Sequence, residues 1–596
     1  MRRDPPVGWG ETMSSDLGAE RRGTTGDPRG AVRVPPGLPA ELSELVEAER
    51  ARFGVPGCAV LVVAGGRVVL NAGFGVRDLA SRRPVTPDTL FPIASATKTF
   101  TAALCALLVD RGLLSWDQPV RDHLPDFRLH DQIATAQVTL ADLLSHRSGL
   151  PRHDILWYAA REEAGRVDML AALRHLDPAG GLRHAWRYNN LLYAAAGEAA
   201  ARAAGRSYEA AVRELLLDPL GMHRSTFAID DLAADEDAAQ PYATAGPDGP
   251  LGPVPYTRLD LIAPAGGLNS CLTDLARWLP TLLGTRVDGH DPLLPPSALA
   301  RMRTPAVPLP DRSSLAVGRP VGYGLGLIVE DYRGYRLTHH GGNIDGFASQ
   351  VSTIPEAGCG VVVLTNRDGS ALRDALPCLI YDRLLDLPPR PHGETALARQ
   401  TALDRGRVQA RERTAAPRPG LPPVRPLTDY VGDYRHPGYG KLTVTADGNG
   451  LAATYRGLAG PLTHRHLEVF NLVLHLGGEC TLLPVQFQHD VHGDVSAALL
   501  AAEPAVEAVR FTRVPETAHL TDAVLDGLTG DYRLGPLEAE VRRGGDGRLT
   551  LLLVEGDVVD LTPVHGLVFA IGGGGARVEF TEDGRLLTPI GDLARR

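Results

Sequence analysis

The C-terminal third of this 596-residue chain repeats itself. The segment TDYVGDYRHPGYGKLTVTADGNGLAATY (428–455) aligns with DGLTGDYRLGPLEAEVRRGGDGRLTLLL (526–553). Tyr434 falls on Tyr532 and Asp447 on Asp546. Farther on, HLEVFNL (466–472) falls on HGLVFAI (565–571), setting Phe470 on Phe569. The offset stays at 98 or 99 residues through all these pairs, which chance similarity does not sustain. A fixed period marks a structural unit used twice. Both copies are strand-and-turn sequence, so each is expected to form a small antiparallel β-barrel-like domain of about eight strands, at 427–516 and 517–596.

The remainder reads differently. Residues 1–37 begin with two arginines and are rich in Gly, Pro, Arg and Asp, without an apolar run after them. A disordered leader is expected there, not a secretory signal. From 38 to 388 strand-like and helix-like segments alternate. PGCAVLVVAGGRVVLNAGFG (56–75) reads as a hairpin turning at Gly65-Gly66. Helical patterns occupy 95–113, 139–145, 188–204 and 207–217, and strands return at 322–330, 347–355 and 359–368. Such an order fits an antiparallel sheet with strands from both ends of the segment and a helical region inserted between them, making the whole chain multidomain α+β. Residues 389–426, rich in Pro, Arg and Ala with one short polar helical stretch, are expected to be a linker.

Formal net charge is −10, with no basic run or aromatic-basic stripe. Nucleic acid and membrane surfaces are therefore not expected partners. No apolar run reaches 18 residues, so no transmembrane helix is expected. Cys58, Cys105, Cys271, Cys359, Cys378 and Cys480 are scattered, without a C-x-x-C pair, and suit buried free thiols. The expected location is cytoplasmic.

The chemistry begins at FPIASATKTFTAALCALL (91–108). Ser95 and Lys98 lie three apart where a buried helix starts, so they share a face near unpaired backbone N–H groups. A serine hydroxyl needs a base to become a nucleophile. HAWRYNNLLYAAAGE (184–198) places Tyr188 and Asn190 at the start of a helix, able to converge on one site, and LTHHGGNIDGFASQVSTIP (337–355) offers His340-Gly341-Gly342 leading into a strand.

Ser95-Ala-Thr-Lys98, Tyr188-Asn-Asn190 and His340-Gly-Gly342, in this order, resemble the three motifs of serine β-lactamase-like and penicillin-binding-protein-like hydrolases. LLSHRSGLP (143–151), PLGMHRST (219–226) and PAGGLNS (264–270) support the resemblance, which covers about 350 residues. The two C-terminal domains resemble those that follow the catalytic domain in D-aminopeptidases. The resemblance implies a class C β-lactamase fold over 38–388 and a serine hydrolase acting through an acyl-enzyme on Ser95.

Lys98 would lie within hydrogen-bond reach of both Ser95 and Tyr188, either lowering the phenol's proton affinity or taking the serine proton as a neutral amine; coupled groups leave this open. Asn190 would orient Lys98 or bind a substrate amide. His340, Gly342 and Asn343 would bind substrate, with the backbone N–H groups of Ser95 and Asn343 as the oxyanion hole. No cofactor and no metal are implied.

Antibiotic-resistance members carry Lys-Thr-Gly where His340 stands here. An imidazole is mostly neutral at pH 7, so a substrate carboxylate would be held less firmly and a true β-lactamase is disfavoured. The resemblance implies amide or ester substrates, above all peptides with a D-residue at the acyl position. The alternative is a stand-alone peptide cyclase that releases nonribosomal peptides from a peptidyl carrier protein. A binding protein that has lost turnover is disfavoured by the intact Ser95, Lys98, Tyr188 and Asn190.

Three further stretches invite a chemical role. QHDVHGDV (488–495) is expected to be a polar turn rather than a metal site. His146 and Arg147 are expected to hold the loop around the site. The Gly-rich tip IGGGGAR (571–577) lacks the strand–helix setting of a phosphate loop. In three-domain D-aminopeptidases a loop of the last domain reaches the active site, and this tip is the candidate for that role. Otherwise the two C-terminal domains are expected to brace the catalytic domain.

Overall fold

The structure, a computed structural model, describes residues 32, 34–158, 165–244, 249–310, 318–476, 479–553, 556–572, 575–581 and 583–596. Nearly all of the expected leader lies outside them. The N-terminal part is built on one seven-stranded antiparallel sheet of β1 (Gly57–Ala64), β2 (Arg67–Gly75), β3 (Arg319–Tyr323), β4 (Ile328–Tyr332), β5 (Tyr335–Ile344), β6 (Phe347–Ile354) and β7 (Cys359–Thr365), in the order β2-β1-β7-β6-β5-β4-β3. The two ends of the segment thus meet at the β1–β7 pair, with Cys58 opposite Thr365.

β1 is buried along its whole length and shows no polar alternation because both its faces are covered. Ala59, Leu61 and Val63 enter one core with α2 (Thr97–Asp110), α3 (Asn190–Ala204) and α4 (Leu272–Leu283). Cys58, Val60, Val62 and Ala64 enter another with α1 (Leu38–Arg52) and α5 (Leu372–Leu384). The helical side comes from residues between β2 and β3, as the segment order requires. α2 runs through its middle, buried from Thr97 to Leu108, and Phe100 stacks on Trp278 of α4 at 3.9 Å between centroids.

The hairpin at 56–75 turns at Gly65-Gly66 as expected. The single strand expected at 322–330 is instead two, β3 and β4, paired through Tyr323 and Ile328. Gly326, at φ +76°, turns the chain between them, and a Cβ there would meet the Lys98 carbonyl oxygen at 2.7 Å. Only glycine allows this turn to press on α2. His340-Gly341-Gly342 lies inside β5 rather than ahead of a strand.

The stretch read as a linker contains a 24-residue helix, α6 (His392–Ala415). Gln400 Oε1 accepts from Ala371 N at the start of α5 (2.9 Å), and Asn471 Nδ2 donates to Thr414 O (2.8 Å), so α6 ties the sheet domain to the next.

Beyond it stand two closed eight-stranded antiparallel barrels, each with sequential strand order. The first closes where Tyr434 meets Arg513, the second where Tyr532 meets Arg595. The repeat has a physical cause at this seam. Tyr434 OH donates to Tyr430 O (2.7 Å) and Tyr532 OH to Leu528 O (2.8 Å), each reaching four residues back. The guanidinium of Arg513 donates to Asp429 O and Val431 O, as that of Arg595 does to Gly527 O and Thr529 O. Phe470 and Phe569 are buried at equivalent places in the two interiors.

QHDVHGDV forms a turn whose Asp490 and Asp494 accept from Arg577 of the second barrel, so its carboxylates join the barrels. Among the described residues no cluster of His, Cys, Asp or Glu could hold a metal, and no helix is long and apolar enough to cross a membrane. All six cysteines are free, and all but Cys480 are buried.

Candidate active site

Ser95 sits in a short 3₁₀ turn, Ala94–Ala96, that leads directly into α2. The residue before it, Ala94, has φ +46°, a left-handed conformation costly for a residue with a Cβ. Surrounding bonds impose it: Ile93 N donates to Leu268 O (3.0 Å), Ser349 Oγ donates to Ile93 O (2.7 Å), and Ala96 N also donates to Ile93 O (3.1 Å). The bend turns Ser95 into a cleft of about 470 Å³ that Tyr188, His340 and Asn343 also line.

Lys98, one turn on, is fully buried. Its Nζ lies 2.9 Å from Asn190 Oδ1, 2.7 Å from Ala265 O and 3.2 Å from Ser95 Oγ. The first two are amide oxygens, which only accept, and they consume two N–H bonds. The third direction faces Oγ. Burial, with the Arg152 cation adding to it, holds the amine well below the ordinary lysine range despite the opposing Asp154 carboxylate. A neutral lysine here points its lone pair at the serine hydroxyl.

Tyr188 OH donates to Ser95 Oγ at 2.8 Å. Burial pushes this phenol up to about 12, and Arg152 and the Ser95 bond offset that only in part. Lys98 therefore does not lower the phenol's proton affinity into a working range. It touches Tyr188 through the ring, 4.8 Å from the centroid, rather than reaching Ser95 and Tyr188 alike by hydrogen bond. Two groups of opposite competence flank one hydroxyl: an amine prepared to accept and a phenol that keeps its proton.

Asn190 is fixed from both ends, since its Nδ2 donates to Asp154 Oδ1 (3.1 Å) while its Oδ1 faces Lys98. Asp154 and the Ala265 carbonyl carry no motif signature of their own, although Ala265 belongs to the PAGGLNS segment. His146 packs its ring 4.4 Å from that of Tyr188 and accepts from Asn189 N through Nδ1 (3.1 Å). Asp142 receives both Arg147 and Arg183. These residues hold the loop around the site, as expected.

The third motif divides its labour. His340 is buried; its Nδ1 donates to Gly341 O (2.7 Å), so Nε2 accepts from Tyr323 OH (2.9 Å). Burial, then the neighbouring Lys98, holds the imidazole well below its usual range, so it is neutral. It lines the cleft with its ring while both nitrogens are engaged inward.

Gly342 faces the serine turn, where a Cβ would lie 2.1 Å from Ile93 O and 2.4 Å from Ser349 Oγ. Gly342→Ala must separate β5 from that turn. Stability is expected to fall by about 1–3 kcal/mol, the usual cost of overpacking, and kcat by about 10-fold or more as reacting groups shift. Thermal melting and steady-state kinetics on one preparation check both.

Asn343 turns its side chain to the opposite face, donating to Asp368 Oδ1 (3.2 Å) and accepting from Gly369 N (3.0 Å). Its backbone is what faces the cleft. The two-residue turn Asp345-Gly346 closes on the Ile344–Phe347 pair, so alternation directs the N–H groups of Gly341 and Asn343 away from β6. β4 pairs with β5 only as far as His339, leaving that edge open beside Ser95. The Ser95 and Asn343 N–H groups together could hold an oxyanion.

A loop of a C-terminal domain does line this cleft, but it belongs to the first barrel. Glu503 and Ala505 stand in the wall. Glu503 accepts from His153 N (2.8 Å), and Tyr439 OH donates to His153 Nδ1 (2.6 Å), since the other ring nitrogen faces the Asp177 carbonyl. The first barrel thereby grips the segment carrying Arg152 and Asp154. The Gly-rich tip of the second barrel instead meets the first barrel, where Gly575 O accepts from His492 Nε2 (2.5 Å); residues 573–574 of that tip lie outside the described residues.

Comparison with known proteins agrees with this fold. Residues 42–381 match the family described as Beta-lactamase, and residues 416–513 match a domain of unknown function, DUF3471, that spans the first barrel. The chain is 29% identical over 490 residues to "Unguisins hydrolase ungD'" of Aspergillus campestris, covering 79% of this chain and 90% of that protein. It is 30% identical over 489 residues to "Unguisins hydrolase ungD" of Aspergillus violaceofuscus, covering 76% and 85%. Among solved structures, the octameric penicillin-binding protein homologue from Pyrococcus abyssi aligns with a TM-score of 0.52 at 24% identity, covering 80% of this chain and 99% of that one, a likeness of fold. The family match takes in more than half of the sequence and contains all three motifs, and the chain belongs to the Beta-lactamase family of serine hydrolases.

Proposed function

We propose that the protein cleaves amide or ester bonds through an acyl-enzyme on Ser95, with Lys98 as the base. The observation that carries this reading is the lysine's surroundings: two carbonyl oxygens occupy two of its positions and Ser95 Oγ faces the third. As Oγ bonds to the substrate carbonyl carbon, its proton passes to the Lys98 amine. The tetrahedral oxyanion lies between the N–H groups of Ser95 and Asn343. On collapse the carbon–leaving-atom bond breaks and Tyr188 gives the leaving atom a proton; the lysinium proton then returns to the phenolate through water in the cleft, since Nζ and the phenol oxygen share no hydrogen bond. Water then repeats the sequence on the ester and frees the acid.

Water is the favoured acceptor because the relatives that align over most of the chain are named hydrolases. Within this reading we retain peptides with a D-residue at the acyl position as the substrate class, on the strength of the motif resemblance. The catalytic unit we propose is 38–388, followed by a linking segment to 426 and the units 427–516 and 517–596.

Intact-protein mass spectrometry tests this. The protein is exposed briefly to D-amino acid amides, short aryl esters and C-terminal-D peptide thioesters, and any adduct is mapped by proteolysis. An acyl group on the peptide containing Ser95, followed by release of the linear acid, is the expected result. A cyclic product would replace water with the peptide's own amine. Absence of an adduct and of turnover across the whole panel would refute the assignment.

Tyr188→Phe separates donor from base. The phenol stays protonated through neutral pH, so its loss removes a proton donor and not a titrating base. Turnover is expected to drop about 10²-fold or more, with the rising limb of the pH–rate profile staying in place. A limb that moved would show that Tyr188, not Lys98, titrates.

A further inference from the structure

Adjacent residues of β5 point to opposite faces of the sheet. Gly342 faces Ile93 and the serine turn, whereas Gly341 faces Gln350 and Arg373. The cleft includes residues from both faces, so it runs from Ser95 over the open edge of β5 at Gly341 and down to the Gln350 side chain.

Gln350 is 1% exposed, yet half of its amide is unused. Its Nε2 donates to His339 Nδ1 at 3.0 Å. His339 Nε2 in turn faces Glu330 Oε1 at 3.3 Å, and Glu330 Oε2 accepts from Gly318 N at 2.6 Å. Nε2 makes no hydrogen bond of its own among the described residues, but the carboxylate beside it favours a proton there, and that tautomer leaves the Nδ1 lone pair to receive the Gln350 NH₂ group. The orientation of the amide follows from this chain, and its oxygen is left facing away from His339. Among the described residues that Oε1 has no hydrogen-bond partner. The oxygen is buried, and it lies 2.8 Å from where a Cβ on Gly341 would stand, so a glycine and no side chain stands beside it at the edge of β5. A buried amide oxygen without a donor is costly, and its persistence at a cleft wall calls for an occupant that supplies one.

We propose that the Gln350 carboxamide oxygen, held by the Glu330–His339 pair, accepts a backbone N–H of a peptide substrate as it crosses the edge of β5 at Gly341. Gln350 is then a specificity-determining residue for the acyl-transfer reaction inferred above, on which this proposal rests. A site built around an acceptor discriminates against analogues lacking the donor far more strongly than an apolar pocket can discriminate by shape. Peptides are therefore preferred over depsipeptides and N-methylated peptides at one defined position.

The test uses the full chain and a fixed set of acyl donors: the N-acetylcysteamine thioester of acetyl-glycyl-glycyl-D-alanine and its singly N-methylated counterparts at each backbone nitrogen. The rate of Ser95 acylation is read by intact mass for the wild type, Gln350→Met and His339→Gln. In the wild type one N-methyl group is expected to slow acylation by about 10-fold or more. In Gln350→Met that penalty should shrink to about 3-fold or less while the parent donor also slows. His339→Gln, which loosens the amide but keeps it, should give an intermediate penalty. Because the readout is a ratio within one protein, partial loss of folded material does not alter it. A Ser95 adduct with the same penalty in wild type and Gln350→Met would overturn this inference alone. No Ser95 adduct with any donor would overturn it together with the acyl-enzyme reading.

Discussion

Ser95→Ala is expected to abolish the covalent adduct and to lower kcat by about 10⁴-fold or more, the scale on which loss of a nucleophile acts in serine hydrolases. The variant costs the Tyr188 phenol its acceptor, but the rest of the site does not depend on the hydroxyl. Lys98 keeps Asn190 and the Ala265 carbonyl, and the serine turn is held by backbone bonds through Ile93. The Ala94 conformation therefore remains, and any fall in melting temperature should be no larger than the loss of the Tyr188 bond accounts for. Intact mass after exposure to an aryl ester, with turnover on the same substrate, reads the effect. An adduct that survived in Ser95→Ala would place the nucleophile elsewhere and remove the basis for the whole site.

Lys98→Met should produce the second largest loss, about 10³- to 10⁴-fold in kcat/KM. Methionine roughly matches the length of the chain and suits full burial, so the cavity is not emptied. The diagnostic feature is the pH profile. Burial holds the amine well below 10.5, so its basic form accumulates as pH rises through that lowered value. Wild-type kcat/KM is expected to climb with pH and level off well before an ordinary lysine would titrate. In Lys98→Met the rising limb should vanish. The nearby imidazoles do not imitate it: His146 and His340 are both held well below 6.5, chiefly by burial and next by the Lys98 charge, and are neutral throughout. A limb unchanged in Lys98→Met would assign the titration to another group.

The parts of this protein that were legible in its sequence are those fixed by local pattern or by repetition. The two barrels were readable because each needs a tyrosine corner at its start, so the local pattern around Tyr434 recurs around Tyr532. Ser95 and Lys98 were readable because helical geometry alone brings a residue and its third neighbour together. Asn343 was only half readable. The resemblance marks the position and its backbone N–H, but where the side chain goes, to Asp368, is decided by strand alternation.

What stayed hidden is what the tertiary fold supplies across long separations. The Ala265 carbonyl that takes one lysine hydrogen is a backbone atom 167 residues away, and no side-chain signature can announce it. Asp154 reaches the site through Asn190 and through its charge on Lys98, and Gln350 becomes visible only when His339, Glu330 and Gly341 are seen around it. The strand expected at 322–330 split because Gly326 turns against α2, a contact absent from any local window.

The loop that brings Glu503 and Ala505 to the cleft joins two neighbouring strands of the first barrel, Val495–Leu500 and Val509–Arg513, which pair directly through Leu500 and Val509. That pairing holds the two strands together whatever the loop's length, and the entropy of closing a loop grows only slowly as residues are added. Insertions and deletions there can accumulate without disturbing the barrel core, provided Glu503 keeps its hold on the segment that carries Arg152 and Asp154. The shape of the entrance can thus change through a domain that supplies none of the reacting groups, as long as the contact that steadies the neighbouring segment is kept.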